Sequence, residues 1–428
     1  MTVLWVCNIP LPIISAHLGI KKQNICGWLT GLANSLTGDN DLKLIICFPL
    51  LGDKEVKHGF VSNIEYYSFF QPKLFGFLPY EDQIKCSSLT RKHLQTIISN
   101  SNPDILHVFG TEYPHSRMAV EVFNNPKKTI VSIQGLVSVC PRHFDEGLPR
   151  SLYHRFAFSN LFRGSICKQK KALIKRGKNE IRALELSGSI IGRTDWDYQC
   201  TRLINPGSKY YLCNETLRDS FYEGQWEFDN CEKYSIFMSQ GSNPIKGLHH
   251  MVEALHILKK SFPEAKLYIA GNSLFGGGSL ASKLKESSYS KYVKGLVKKY
   301  NLFESIAFTG QLDEASIKER YLRSNVFVSP SVIENSPNSL CEAMILGLPC
   351  VSSDVGGVSS LMKHNEEGYM YQSTAPYMLA FYIGKVFGNP EEAARMGKNA
   401  KKRASSTHDR MKNSDRLKEI YSDVYLNH

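Results

Sequence analysis

The most informative stretch of this chain is residues 329–357, which read SPSVIENSPNSLCEAMILGLPCVSSDVGG. Its composition predicts a loop that leads from a strand into a helix over Ser339–Leu346. Two carboxylates, Glu334 in the loop and Glu342 in the opening turn of the helix, have seven residues between them. Free backbone N–H groups and the helix dipole favour phosphate oxygens at such a junction, and a carboxylate accepts hydrogen bonds from two neighbouring hydroxyls. The pattern therefore suits a nucleotide sugar.

Both carboxylates also have a simpler explanation. The run Ser339-Leu340-Cys341-Glu342 matches a capping box, in which Glu342 would only satisfy a free N–H group at the start of the helix. Glu334 has no such local partner, although a Glu in a loop is usually just solvated. The choice depends on the rest of the chain.

The composition is that of an ordinary soluble globular protein. The chain has 428 residues, of which 42% are hydrophobic and 21% charged, and this length predicts two to three domains. Eleven cysteines form no CxxC pair, and no secretory signal precedes the first predicted strand, Val3–Cys7. We therefore expect reduced thiols in a cytoplasmic protein. No apolar run reaches the roughly 18 residues that span a bilayer, so we expect no membrane crossing.

The net charge of +12 is concentrated between Arg142 and Arg182. This basic segment, residues 142–182, holds eleven Lys and Arg against three Asp and Glu, with apolar residues such as Tyr153 and Phe156 among them. An amphipathic basic helix can lie on an anionic membrane surface, but a solvated helix that packs its aromatics into its own domain also explains the pattern. Nucleic acid is not an expected partner, because no zinc, RNP or helix-turn-helix signature accompanies the charge.

Short apolar runs alternate with helical patterns along the chain, which predicts α/β architecture with doubly wound parallel sheets. Strand candidates in the first half are Val3–Cys7, Lys43–Phe48, Ile105–Phe109, Thr129–Ile133 and Ser189–Gly192. Helix candidates include Ile25–Leu36, Ile84–Ser99, Leu152–Leu186 and Leu280–Tyr300. A polar stretch, Glu223–Lys233, predicts a linker, and a second alternating series begins at Tyr234. We therefore predict two Rossmann-like domains, residues 1–222 and 223–407.

Ligands of doubly wound sheets bind beyond the carboxyl ends of the strands. In the second half, the loops predicted at that edge are 240–247, 271–279, 310–313 and 330–338. Lys246-Gly247 in the first loop begins a predicted helix, where a Lys can neutralise a diphosphate, although an isolated Lys-Gly is usually solvated. Gly276-Gly277-Gly278 in the second suits a flexible surface loop better than a phosphate cradle, because neither GxGxxG spacing nor a P-loop Lys follows it.

Lys246-Gly247, taken with Glu334 and Glu342, resembles the motifs of family 4 retaining glycosyltransferases, which have the GT-B fold. The segment ENSPNSLCEAMILGLPCVSSDVGG is especially similar to bacterial enzymes that assemble capsular, exopolysaccharide or lipopolysaccharide chains. The resemblance is strong from about Tyr234 to Tyr371 and mostly architectural before that. It implies two Rossmann-like domains that face each other across a cleft, with a C-terminal helix, residues 408–428, that crosses back to the first domain.

The resemblance also implies a function. The chain would transfer a sugar, with retention of anomeric configuration, from a nucleotide-diphosphate sugar to a glycan acceptor, which we expect to be lipid-linked. Glu342 would hold the ribose hydroxyls, Glu334 the hydroxyls of the transferred sugar near its C3, and Lys246 the diphosphate. Backbone N–H groups around Asn338 and Ser339 would add to the phosphate site.

Further donor contacts follow from the same resemblance. Gln311 and Leu312 match the loop that reads the base, largely through main chain. Family members usually carry a phosphate-binding Arg five residues before the Lys of the first loop, where this chain has Gly241. Asn243 or a basic residue of the first domain would have to complete the diphosphate site. Many members have a His near the reacting centre where this chain has Gln134, which can donate to a sugar hydroxyl but cannot titrate.

Acceptor contacts are expected in the first half. The segment His107–Ser116, HVFGTEYPHS, follows a strand and is predicted to face the cleft, so that Glu112 and His115 are candidate acceptor contacts. His107 lies within an apolar run and is predicted to be a packed core histidine. The glycine pair expected before the first helix is represented only by Cys26-Gly27, so Gly27 is the third acceptor candidate.

No metal and no cofactor are expected, because no DxD ends a strand, no His/Asp cluster has ligand spacing, and the nucleotide sugar is a substrate. Other interpretations remain: another GT-B enzyme such as a nucleotide-sugar epimerase or a sugar phosphorylase, a Rossmann dehydrogenase, and a basic nucleic-acid-binding protein. A dehydrogenase should carry GxGxxG after its first strand, where this chain reads CNIPLPIISAHLG. A phosphorylase needs a cofactor-binding lysine, for which the sequence shows no context.

Overall fold

A computed structural model describes residues 1–20, 27–38, 41–72, 87–154, 165–275 and 286–427. The chain divides into two compact units. Unit 1 consists of Met1–Val139, Lys171–Thr216 and the C-terminal segment from His408, and unit 2 consists of Cys140–Lys170 and Leu217–Thr407. Each unit is therefore assembled from separate pieces of the chain. The domain limits at 222 and 407 stay a prediction.

Elements are numbered along the described residues. The strands are β1 Thr2–Val6, β2 Lys43–Leu51, β3 His58–Val61, β4 Ile64–Gln71, β5 Ile105–Phe109, β6 Thr129–Ser132, β7 Ser189–Gly192, β8 Lys209–Leu212, β9 Ser235–Met238, β10 Lys266–Ile269, β11 Ile306–Phe308, β12 Val326–Ser329, β13 Cys350–Asp354 and β14 Tyr369–Gln372. The helices are α1 Pro12–His17, α2 Gly27–Leu36, α3 Ser88–Ser101, α4 Pro114–Phe123, α5 Cys140–His143, α6 Ser151–His154, α7 Ile166–Glu185, α8 Asp195–Ile204, α9 Leu248–Leu258, α10 Ser288–Lys299, α11 Glu314–Leu322, α12 Asn338–Leu346, α13 Val358–Leu361, α14 Pro376–Gly388, α15 Pro390–Thr407 and α16 Arg410–Leu426.

Unit 1 is built on an eight-stranded sheet in the order β3-β4-β2-β1-β5-β6-β7-β8. All neighbouring strands are parallel except β3, which pairs with β4 in the antiparallel sense. Every residue of β5 is buried, as expected for a central parallel strand that is covered on both faces. The strand order reverses between β1 and β5, so the loops that follow these two strands lie side by side at the switch point.

Unit 2 is built on a six-stranded parallel sheet in the order β11-β10-β9-β12-β13-β14. Here the order reverses between β9 and β12, which pair directly through Val326 with Ile236 and Phe327 with Phe237. The loops after β9 and β12 therefore meet at the switch point of this sheet. The two doubly wound units confirm the prediction of two Rossmann-like domains.

The last helix, α16, completes the core of unit 1. Asp409 caps its start by accepting a hydrogen bond from the Lys412 N–H. The buried Tyr421 hydroxyl accepts from Trp5 Nε1 at 2.8 Å and lies 2.6 Å from His107 Nδ1. His107 is fully buried, which confirms its prediction as a core histidine.

Several elements depart from the sequence prediction. The β3–β4 hairpin was not predicted, because its turn uses Ser62 and Asn63 at φ +46° and +65° rather than the usual Asn-Gly signal. The predicted helix Leu152–Leu186 is represented by α6 and α7, with residues 155–164 outside the described part. The predicted helix Leu280–Tyr300 begins at Ser288 within the described residues, and Gly276–Gly278 lie outside them.

Two further properties concern the described ranges alone. Within them, none of the helices combines the length and the apolar character that a membrane crossing requires. The same ranges contain no group of three or more His, Cys, Asp and Glu side chains arranged to hold a metal ion.

Candidate functional site

Lys246 and Glu334 meet at the switch point of unit 2. Lys246 ends the short 3-10 turn Pro244–Lys246 after β9, and its Nζ lies 2.6 Å from Glu334 Oε1. The Ser331 hydroxyl donates to the same oxygen at 2.7 Å. The backbones of the two loops are also joined, because the Val332 N–H donates to the Ile245 carbonyl at 2.9 Å. The adjacency of β9 and β12 thus brings together two residues that are far apart in sequence.

Two glycines allow this close approach. Gly247 has φ +69°, and a Cβ there would lie 1.8 Å from the Pro330 carbonyl oxygen. Gly356 has φ +53°, and a Cβ there would lie 1.9 Å from the Glu334 carbonyl oxygen. That carbonyl accepts the Gly357 N–H at 3.0 Å. Glu334 is therefore held by its main chain as well as by its side chain, in a backbone conformation that only glycine neighbours permit.

Glu342 lies on α12, which begins one residue earlier than predicted. The helix begins at Asn338, with Pro337 as its N-cap and no side-chain cap. Glu342 is therefore in the second turn, and the capping-box interpretation is wrong because Ser339 is inside the helix. The Glu342 carboxylate pairs instead with Arg218, whose Nη2 and Nε lie 2.6 and 2.8 Å from Oε1.

The surroundings of Glu342 are polar but largely closed to water. The residue is 6% exposed, and the Tyr321 hydroxyl lies 3.3 Å from Oε2. Burial raises the pKa of Glu342, and the Arg218 charge opposes that rise. A carboxylate held in this way can accept hydrogen bonds from hydroxyl groups of a ligand.

The start of α12 is the place where the sequence predicts an anion site. Asn338 and Ser339, both half-buried, form the first turn, and the N-terminal end of a helix carries free N–H groups and a partial positive charge. The Ser336 hydroxyl just before it is buried and has no hydrogen-bond partner among the described residues. Asn338 and Ser339 are therefore placed where phosphate oxygens could bind.

The structure explains why this chain has Gly241 where family members usually carry an Arg, and what the nearby Asn243 does. Gly241 is buried, and a Cβ there would lie 2.9 Å from Leu248 Cδ2 and 3.1 Å from Ile269 Cγ2. An arginine cannot occupy this position without displacing both side chains. The exposed Asn243 uses its side-chain oxygen to accept the Ile245 N–H at 3.1 Å, so it shapes the turn that carries Lys246.

The predicted base-reading loop lies at the same edge of the sheet. Gly310, just before Gln311, forms two backbone hydrogen bonds with Gly271, of 2.9 and 3.1 Å. Gln311 is exposed and Leu312 half-buried. The loops that follow β10 and β11 are thus joined beside the site, and Gln311 and Leu312 are accessible for main-chain contacts. Their role stays a prediction.

In unit 1, the predicted acceptor residues lie at the switch point between β1 and β5. Asn8 follows β1 and donates to Glu112 Oε2 at 3.2 Å, and its side-chain oxygen lies 2.9 Å from His115 Nε2. Burial raises the pKa of Glu112 and lowers the pKa of His115 to about 3. His115 is 2% exposed, so Glu112 is the more accessible of the two. Gly27 begins α2, and its partner Cys26 lies outside the described residues.

Gln134 belongs to a separate cluster of unit 1. Its Nε2 donates to Glu215 Oε1 at 2.6 Å, and Glu215 Oε2 pairs with Arg193 Nη1 at 2.9 Å. These residues line a small cavity of about 30 Å³, together with Asn214. Because one amide N–H is committed to Glu215, Gln134 retains its carbonyl oxygen and one N–H for a ligand.

Sequence reasoning missed several residues of these clusters. Arg218, Tyr321 and Ser331 contact the two key carboxylates of unit 2, and Arg193 and Glu215 hold Gln134 in unit 1. Arg193, Glu215 and Arg218 follow or lie between predicted elements, whereas Tyr321 lies on the predicted helix α11 and Ser331 in the predicted loop 330–338. None of the five has a motif of its own. Arg193 and Glu215 could have been found from their positions, because they come just after β7 and β8, at the carboxyl ends of parallel strands where ligands bind.

Comparison with known proteins places this site in a recognised domain. Residues 221–403 match the family model described as Glycosyl transferases group 1, and this range contains Lys246, Glu334 and Glu342. The putative glycosyltransferase YtcC of Bacillus subtilis is 28% identical over 196 residues, 45% of this chain and 46% of that protein. The Escherichia coli UDP-Gal:alpha-D-GlcNAc-diphosphoundecaprenol alpha-1,3-galactosyltransferase is 26% identical over 175 residues, 39% of this chain and 42% of that protein. The chain thus spans less than half the length of these curated relatives.

A solved structure covers more of the chain. Sucrose-phosphate synthase from Thermosynechococcus elongatus superimposes with a TM-score of 0.70 and 15% sequence identity, over 100% of both chains. At this level of identity the likeness concerns the fold alone. It confirms the GT-B fold that was predicted from the sequence.

Proposed function

We propose that this chain is a glycosyltransferase that moves a sugar from a nucleotide-diphosphate sugar to a hydroxyl of a glycan acceptor. One observation carries the proposal: Lys246 and Glu334 are in contact at the switch point of unit 2, where doubly wound sheets bind ligands. The match of residues 221–403 to group 1 glycosyl transferases and the names of the relatives support it.

The donor would lie along the edge of the unit 2 sheet. Lys246 and the N–H groups at Asn338 and Ser339 would bind the diphosphate, because a cation and a helix start both favour phosphate oxygens. Glu334 would accept hydrogen bonds from the hydroxyls of the transferred sugar, and Glu342 from those of the ribose. A uridine nucleotide is the first candidate, since the name of the Escherichia coli relative contains a UDP-sugar.

The reaction breaks the bond between the sugar C1 and the diphosphate oxygen and forms a bond from C1 to the acceptor oxygen. Charge that grows on the departing diphosphate would be stabilised by Lys246 and the start of α12, which is electrostatic catalysis. We infer retention of configuration, with the leaving phosphate taking the acceptor proton. We also infer that these residues suffice without a metal ion or a cofactor.

The acceptor is proposed to be a lipid-linked glycan, as in the name of the Escherichia coli relative. Glu112, His115 and Gly27 are the proposed acceptor contacts, and Gln134 is proposed to bind a substrate hydroxyl near the reacting centre. The proposed setting is the synthesis of a bacterial surface polysaccharide in the cytoplasm.

A membrane contact would fit such an acceptor. The part of α7 that belongs to unit 1, from Lys171 onward, exposes one stripe of side chains: Lys171, Ile174, Lys175, Lys178, Ile181, Arg182 and Glu185. The stripe carries four cations and one anion, and its isoleucines are 47% and 36% exposed. Cations around exposed apolar side chains suit an anionic lipid surface. Leu152 near the other end of the basic segment is buried at 2%, so only part of the segment would take this role.

The first test is a screen of nucleoside diphosphates and their sugars for thermal stabilisation, because a ligand that binds the folded state raises the melting temperature. A stabilising sugar nucleotide is then incubated with lipid-linked glycan, and products are analysed. Release of the nucleoside diphosphate with a new glycosidic bond is expected. Conversion of the donor to its epimer without transfer would show the epimerase alternative to be correct, and salt-sensitive binding of DNA or RNA instead of sugar nucleotides would favour a nucleic-acid-binding protein.

Two controls belong to this experiment. Glu342→Ala should abolish transfer, and unchanged turnover at saturating donor would contradict the role of Glu342. Activity should survive EDTA, and a loss that manganese alone restores would disprove the metal-free site.

A further inference from the structure

Arg218 is the unpredicted partner of Glu342. It precedes the short 3-10 helix Asp219–Tyr222, in the segment between β8 and β9. Its guanidinium lies over the ring of Phe221, 4.6 Å from the centroid, and donates twice to Glu342 Oε1. Only 20% of the Arg218 side chain and 8% of the Glu342 side chain are exposed. The guanidinium is therefore held by stacking on one side and by the carboxylate at its edge.

The second oxygen of Glu342 is less committed. The Tyr321 hydroxyl lies 3.3 Å from Oε2 and 3.1 Å from the Ser339 carbonyl oxygen. A hydroxyl has one proton, so it cannot satisfy both acceptors fully. Oε2 thus keeps lone pairs for an incoming hydroxyl, whereas Oε1 is occupied by Arg218.

The segment around Arg218 also reaches α11. The Ser220 hydroxyl donates to Glu314 Oε1 at 2.6 Å, and Glu314 is the first residue of the helix that follows the loop with Gln311 and Leu312. The ionisable groups that act on Glu342 are Arg218, Tyr321 and Glu314. Arg218 is the cation among these three groups, and Glu314 disfavours the ionised form.

We propose that Arg218 is a positioning residue of the nucleoside site, which keeps the Glu342 carboxylate ionised and turned so that Oε2 accepts hydrogen bonds from ribose hydroxyls. This inference rests on the proposed function. It also makes the segment Leu217–Tyr222 part of the nucleoside site. This segment contacts Glu342, which is proposed to bind the ribose, and the start of α11, which follows the predicted base-reading loop. It also predicts that the enzyme distinguishes a ribonucleotide from its 2′-deoxy form through Arg218.

The test uses the full chain and two ligands, UDP and 2′-deoxy-UDP, with calorimetry at pH 6, 7 and 8. If the screen finds another nucleoside diphosphate, that nucleotide and its 2′-deoxy form replace them. The variants are Arg218→Met and the conservative Arg218→Lys. Arg323→Met is the matched control, because Arg323 is a half-exposed arginine of the same unit that pairs with Glu232. Thermal unfolding without ligand checks that each variant is folded.

Arg218→Met should bind the ribonucleotide about tenfold or more weakly at pH 7. The ratio of its dissociation constants for the 2′-deoxy form and the ribonucleotide should fall towards one. Loss of the cation raises the pKa of Glu342 further, so binding should weaken as the pH falls from 8 to 6, while wild type changes less. Arg218→Lys should bind the ribonucleotide more tightly than Arg218→Met and more weakly than wild type. If Arg218→Met does not fold, the comparison of Arg218→Lys with wild type tests the proposal.

Three results would overturn the inference: unchanged affinity, tighter binding, or a uniform loss that leaves the ribose preference and the pH profile as in wild type. The last would mean that Arg218 only stabilises the fold. If wild type binds no nucleoside diphosphate, the proposed function itself fails, and the inference with it. If wild type binds and the Arg218 variants behave like wild type, only the role of Arg218 is lost.

Discussion

Lys246 Nζ lies 2.6 Å from Glu334 Oε1, and this oxygen also accepts the Ser331 hydroxyl. The two residues proposed for different parts of the donor are thus direct partners of each other. A diphosphate next to Lys246 and a sugar hydroxyl next to Glu334 would give each of them a ligand contact. The close pairing keeps both charges compensated, which matters because an unpaired charge in a partly buried site is costly.

Removal of Lys246 and neutralisation of Glu334 should have different effects. Lys246→Ala should weaken binding of the nucleoside diphosphate about tenfold to a hundredfold, since a charged hydrogen bond is lost. Glu334→Gln should leave that affinity within about threefold and lower turnover instead, because its proposed contact is with the transferred sugar. Calorimetry and steady-state kinetics measure the two quantities. Lys260→Ala, an exposed lysine of the same unit, is the control. An unaltered nucleotide affinity in Lys246→Ala would refute its role.

Gly356 should tolerate no side chain. Gly356→Ala would place a Cβ 1.9 Å from the Glu334 carbonyl oxygen at a positive φ, so the free energy of unfolding should fall by about 2 kcal/mol or more. Gly388→Ala is the control, because a Cβ there meets nothing within 4 Å. Urea denaturation compares the two variants. Equal stabilities would show that the loop around Glu334 can relax.

Buried histidines should make stability depend on pH. Burial lowers the pKa of His107, His115 and His249 to about 3, and that of His250 to about 4. These values lie below the ordinary value near 6.5, so the unfolded chain binds more protons than the folded one between about pH 3 and 6.5. The stabilisation is complete above about pH 6.5 and is lost as the pH falls, by up to about 1.4 kcal/mol per pH unit for each histidine.

The measurement is the free energy of unfolding at pH 7 and pH 5. His107→Gln should be less stable than wild type at pH 7 but should lose less on acidification. His17→Gln, at an exposed position of the same unit, should keep the wild-type dependence. The same slope in wild type and His107→Gln would count against the prediction.

The exposed stripe of α7 should bind anionic vesicles. Lys171→Glu combined with Lys175→Glu and Lys178→Glu should reduce co-sedimentation with vesicles that contain phosphatidylglycerol, because polybasic segments contribute roughly 1 kcal/mol per cation near such a surface. Transfer to a water-soluble acceptor should stay unchanged. Lys291→Glu, a lysine outside the stripe on α10, serves as the control. Vesicle binding that survives the triple substitution would assign the contact elsewhere.

The sequence predicted five strands of each sheet, because buried parallel strands are continuous apolar runs, but it did not predict β3, β4, β8 and β14. It also placed Lys246, Glu334 and Glu342 in loops or helix starts at one edge of the second sheet, since the alternation of strands and helices puts the carboxyl ends of the strands together. Their immediate partners were not predictable. Arg218 reaches Glu342 from a segment without regular periodicity, and such a contact depends on tertiary packing alone.

The β3–β4 hairpin shows a second limit. Its turn needs positive φ at Ser62 and Asn63, and neither residue gives a strong local signal for that conformation. The position of Glu342 within its helix also differs from the prediction, because the helix begins earlier than its sequence signal indicates. The Ser339 capping motif is present in the sequence, but the structure begins the helix at Asn338, after Pro337, because proline fits the position before a helix and cannot continue one.

The Tyr421 hydroxyl on α16 contacts both Trp5 on β1 and His107 on β5, so the first strand and the last helix share one buried polar cluster. During synthesis, unit 1 cannot close its core until the residues of α16 have been added, whereas unit 2 has all of its residues once Thr407 has been added. Because proteins are made from the N-terminus and their domains generally fold as units, we expect unit 2 to complete its fold first on the ribosome. A fragment that stops before His408 should expose apolar surface of unit 1 to chaperones and proteases.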